Sequence, residues 1–146
     1  MKILPLIIAG LAGGSMALQG VLNSILGQKI GEIEATFIVH AIATALLGII
    51  LVSGITHGNI GNIGSTPWFG FLGGPLSVII VWGVLTSIGK VGAAPATTAI
   101  LSVQILTALA LDYFGVTGQK AHIGRARIVG ALVFVAGAYL LLREQT

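Results

Sequence analysis

Cysteine is absent from the 146-residue sequence, so disulfides, thiolate metal ligands and thiol chemistry drop out. Charge is scarce. Only 8% of residues are Asp, Glu, Lys or Arg, where a soluble domain carries roughly 25%. The 7 basic residues are scattered over loops and ends without aromatic interleaving, so an isoelectric point near 9.7 is no sign of nucleic-acid binding. Catalytic motifs are missing as well. There is no H-E-x-x-H constellation and no G-x-S-x-G, and the Gly-rich stretch 56–66 has neither P-loop spacing nor a Lys. The reading is of a protein that is not an enzyme and uses no cofactor or metal.

What remains is apolar: 55% of the chain is hydrophobic and the mean hydropathy is +1.05. The pattern predicts an all-α integral membrane protein, one transmembrane domain over residues 1–146 with five helices at about 3–26, 34–55, 67–88, 95–114 and 128–142. The first apolar run, after Lys2 and with Ser15-Met16-Ala17 inside it, imitates a signal peptide. It continues to Leu26, long enough to span, and reads as a retained first helix. The 22 glycines lie largely inside the apolar runs, as close helix packing in lipid requires. Gly13, Gly20 and Gly27 repeat at seven residues in helix 1, and Gly130 and Gly137 do so in helix 5. Residues 27–33, with Lys29 and Glu32, read as a short charged turn.

Polar groups inside the spans are the candidate functional residues, because they are expensive in hydrocarbon and usually face protein or a wet cavity. In helix 4, Thr97, Leu101, Gln104, Ala108, Leu111 and Asp112 fall within about 100° of one another. In helix 1, Ser15, Gln19 and Asn23 form a stripe at i, i+4, i+8. That stripe is either interhelical glue, at about 0.6 kcal/mol per bond, or the wall of a cavity. His40, about two turns into helix 2, is open to two roles, a bond to a neighbouring helix or a ligand- or proton-carrying group. Asp112 likewise either pairs with Arg125 or Arg127 near the interface or carries a coupling proton. Trp82 lies deeper than an interfacial belt residue and is expected to face the interior, unlike Trp68, Phe69 and Phe71. Gly73-Gly74-Pro75 should bend or break helix 3.

An odd number of spans puts the termini on opposite sides. Lys2, Lys120, Arg125 and Arg127 then face Lys29, Lys90 and Arg143 across the membrane, almost no bias in positive charge. Such a chain can insert both ways and pair as an antiparallel homodimer, reproducing with two chains the inverted repeat of many transporters.

Several segments together carry a family likeness. They are Ala17-Leu18-Gln19-Gly20-Val21-Leu22-Asn23, Pro67-Trp68 followed by Gly73-Gly74, and Gly92-Ala93 followed by Gln104 and Leu111-Asp112-Tyr113-Phe114-Gly115. In this order and spacing the chain resembles the small bacterial DUF606 (YdcZ-like) family of the drug/metabolite transporter superfamily over nearly its whole length. The resemblance implies a half-size transporter bundle in the bacterial inner membrane, assembled as an antiparallel homodimer or heterodimer, and it names no substrate. The chain is unlike the small multidrug resistance proteins, whose first helix carries a mid-membrane Glu where this one has Gln19 and Asn23. The expected function is therefore transport of a small polar or amphipathic substrate by alternating access as a dual-topology dimer. Gln19, Asn23, Gln104, His40 and Trp82 would contact substrate, and Asp112 or His40 would carry a coupling proton. The alternative is a non-transporting membrane subunit of a larger complex. The partners are the lipid bilayer, the substrate and a second copy of the chain, not nucleic acid.

Overall fold

All 4 prolines stand at the start of a helical segment, and from there the chain's elements can be laid out. The computed structural model describes residues 3–116 and 124–143. Pro5 lies in the first turn of α1 (Ile3–Ile30), Pro75 in that of α3 (Gly73–Val91) and Pro95 in that of α4 (Ala93–Phe114). Pro67 immediately precedes a short 3-10 segment, Trp68–Leu72. In a first turn the missing N–H would have had no intrahelical partner, so the rings cost little. The remaining helices are α2 (Glu32–Val52) and α5 (Arg125–Arg143), with a second 3-10 segment at Ile60–Ser65. Among the described residues there is no strand.

Five of these segments are long and apolar enough to cross a membrane, with Trp68–Val91 counted as one span. No span has more than 11% of its most apolar window buried. Most of the large hydrophobic residues exposed in the spans are Leu, Ile, Val and Phe, as a lipid-facing surface requires.

The chain divides into two compact units, residues 1–90 with α1, α2 and nearly all of α3, and residues 91–146 with α4 and α5. In the first unit, the seam on α1 is filled by α3. A Cβ added at Gly20 would come within 2.6 Å of Ile88 Cδ1 and 2.9 Å of Val84 Cγ1, and one at Gly27 within 3.0 Å of Leu85 Cδ1. Only the C-terminal part of the seam is used this way, because Gly10, Gly13 and Gly14 face open space. Leu85, 2% exposed, and Ala35, 0% exposed, form the centre of this small core.

Two expectations change. Residues 27–33 are not a turn: α1 continues through Lys29 to Ile30, and one residue, Gly31, separates it from α2. Gly31 has φ 104° and ψ 146°, a backbone region open in practice to glycine alone. The side chain of Glu34 folds over it and fills the space a Cβ would need. Helix 3 is interrupted at the expected place, but as a change of helix type. The 3-10 segment ends at Leu72, the α-helix starts at Gly73, and Pro75 falls in the new first turn rather than at a mid-helix kink.

Candidate functional site

On α2, Glu32, Thr36 and His40 recur at every fourth residue and so share one face. That face meets α3. Thr86 Oγ1 donates to Glu32 Oε2 at 2.6 Å, and His40 Nε2 lies 3.1 Å from Ser77 Oγ. The contacts are eight residues apart along α2 and nine apart, in reverse order, along α3, so the two helices run antiparallel through a polar seam. Each rung is also tied to its own helix. Thr36 Oγ1 donates to Glu32 O (2.8 Å), His40 Nδ1 is 2.8 Å from Thr36 O, and Ser77 Oγ donates to Gly74 O (2.8 Å). Glu32 is the first residue of α2, where the helix dipole favours a carboxylate.

At the Glu32 end the seam opens into a cavity of about 100 Å³ lined by Ser24, Gln28, Glu32, Leu85, Gly89 and Lys90 among others. Gln28 Nε2 lies 3.5 Å from Ser24 Oγ, at the limit of a hydrogen bond. Sites for drug-sized ligands run from about 300 to 1,000 Å³. This cavity is of a size for a few water molecules, not for a metabolite.

The residues singled out from the sequence fall in different surroundings. Asn23 is buried, 8% exposed, beside Ser24 at 3%. Further up the same stripe Gln19 is exposed, and Ser15 is exposed with its hydroxyl donating to Leu11 O of its own helix (2.9 Å). Trp82 is 42% exposed, so it is not part of the interior of its own unit. Gln104 on α4 is exposed too. Asp112 faces α5, where its Oδ2 is 4.0 Å from Arg127 Nη1. Both side chains are about half exposed, and a pair at that distance and exposure contributes at most about 1 kcal/mol. The two line one end of an open groove of about 420 Å³ between α4 and α5. The structure thus brings His40 and Asn23 into the first unit's packing and pairs Asp112 with one of its two expected arginines. It leaves Gln19 and Trp82 on the surface of the first unit and Gln104 on that of the second.

Sequence reasoning missed Glu32, Thr86 and Ser77. The signal for Glu32 was available: its i, i+4, i+8 spacing with Thr36 and His40 is the spacing that marked Ser15, Gln19 and Asn23. Placing Glu32 in a turn hid it. Among the described residues no group of three or more His, Asp or Glu could hold a metal ion.

Comparison with known proteins follows the same lines. The model of the family described as "Putative inner membrane exporter, YdcZ" matches residues 4–140. The inner membrane protein YdcZ of Escherichia coli (strain K12) is 26% identical over 130 residues, which cover 85% of this chain and 87% of that protein. No solved structure matches the chain.

Proposed function

Because the chain belongs to the YdcZ family, whose model spans residues 4–140, we propose that it exports a small molecule across the bacterial inner membrane as a dimer of oppositely inserted subunits. It is a multi-pass membrane protein with five spans. The observation that carries the dimer is the exposure of Gln19 and Gln104 within spans, with no side-chain hydrogen bond to either among the described residues. An amide left toward hydrocarbon costs several kcal/mol, so each needs protein, substrate or water that its own unit does not supply. Gly130 and Gly137 on α5, and Gly10, Gly13 and Gly14 on α1, face open space and admit close approach of another helix. The near balance of positive charge on the two sides permits both orientations.

In this reading Gln19, Asn23 and Gln104 hydrogen-bond a polar or amphipathic substrate, Trp82 adds an apolar face, and His40 or Asp112 carries the coupling proton. Transport by alternating access rocks the two subunits against one another, as inverted repeats do within one longer chain. Purified protein in proteoliposomes, screened over a metabolite panel with and without a pH gradient, tests it. Substrate movement that depends on the protein and weakens in Q19L and Q104L is the expected result. No movement of any compound, together with stable co-purification of an unrelated membrane complex, would favour a non-transporting subunit.

A further inference from the structure

Nothing above accounts for Ser77, whose hydroxyl lies between two partners. His40 Nδ1 sits 2.8 Å from the backbone oxygen of Thr36, which can only accept, so Nδ1 carries a hydrogen. In the neutral imidazole Nε2 is then an acceptor, and the hydroxyl of Ser77, 3.1 Å away, must donate to it. Yet Ser77 Oγ is also 2.8 Å from Gly74 O, another group that only accepts. One hydroxyl hydrogen cannot serve both. All three contacts are satisfied together only when His40 is charged: Nδ1–H to Thr36 O, Nε2–H to Ser77 Oγ, and Ser77 O–H to Gly74 O. We propose that His40 and Ser77 form a proton-operated switch. When His40 binds a proton at Nε2, the Ser77 hydroxyl turns from the imidazole to the backbone of α3 at Gly74.

The step adds one proton to Nε2 and rotates one O–H, with no other bond made or broken. Its output falls where α3 is least regular. Gly74 is the second residue of the α-helix, directly after the junction with the 3-10 segment Trp68–Leu72, and a serine hydroxyl bonded back to its own helix competes for a backbone carbonyl there. A charge gained on α2 is thereby read as a change at the start of the third span. Among the described residues no charged side chain bonds to His40 or Ser77. On α2 the nearest are Glu34 and Glu32, six and eight residues earlier, at least about 9 Å along the axis, and Glu32 accepts from Thr86. On α3 Lys90 is thirteen residues beyond Ser77, about 20 Å, and on α1 Lys29 stands in the last turn.

The proposal deepens the reading of His40 as a proton carrier and rests on it, so its test must separate the two. Gly74-Pro75 is the sequence's one Gly-Pro pair. Glycine labelled at the carbonyl carbon with 15N-proline therefore isolates the Gly74 carbonyl by NMR of the full chain in lipid bilayers. 15N-histidine, assigned by the signal missing in H40N, follows His40 in parallel. The expected result is a Gly74 carbonyl shift that moves over the same pH range as His40, stays still in S77A while His40 still titrates, and returns in S77T. A His40 that titrates without moving Gly74, or a Gly74 that moves equally in S77A, overturns the switch alone. A His40 that never changes protonation between pH 4 and 9 overturns the switch and the proton-carrier reading of His40 with it.

Discussion

Gly31 decides where α1 stops, and nothing in its neighbourhood marks it apart from Gly27 four residues earlier. Both glycines stand two residues from Lys29, but Gly27 is helical and packed on Leu85, whereas Gly31 takes φ 104° beneath the Glu34 side chain. Periodicity does not separate the two, since the difference lies in which one a neighbouring helix needs flat. G31A should cost on the order of 1–3 kcal/mol, the range for a side chain forced into a glycine-only region, read as a lowered unfolding midpoint in detergent. A second test belongs to Thr86, whose donation to Glu32 at 2.6 Å ties α3 to α2. T86V keeps the shape and removes the donor. It should cost about 1 kcal/mol rather than the larger figure for a buried charged partner, because the pair is only half-buried. A loss of stability below detection would mean that water replaces the threonine.

At the scale of elements, the five spans were legible because long apolar runs have no other stable solution in this composition. Pro5, Pro67 and Pro95 suit helix starts for the same kind of reason, since each removes an N–H that a first turn does not use, and Pro75, expected to bend or break helix 3, stands in a first turn as well. What was not legible was register. Whether Gly20 or Gly13 meets α3 depends on how two helices cross, and sequence spacing makes the two glycines equivalent. The structure distinguishes them, with Gly20 against Ile88 and Val84 and Gly13 open. G20L should therefore push α1 off α3 and destabilise the chain by about 1–3 kcal/mol, the usual cost of overpacking. G13L should leave the thermal unfolding of the isolated chain unchanged. Equal loss in both variants would show that the whole seam is occupied within one chain. The same dependence on register explains why His40 was noticed and Ser77 was not. A histidine is conspicuous anywhere in a span, while a serine gains meaning only from the residue opposite it.

For the whole molecule, surface is the deciding quantity. Five spans with so little of each buried leave faces for lipid, and two amides on those faces, Gln19 and Gln104, need a polar partner beyond their own units. The proposed dimer, if joined through the open glycines of α5, should weaken in G137L, seen as a shift from dimer to monomer on cross-linking in membranes, with the chain still folded. The proposed opposite insertion of two copies is tested most directly by labelling. The native chain has no cysteine, and Gly58 lies in the connection after α2 with open space around it, so G58C offers one thiol for an impermeant maleimide. With intact cells and with inverted vesicles of the same preparation, comparable fractions labelled from each side are expected for oppositely inserted subunits. Labelling from one side only would contradict an antiparallel homodimer.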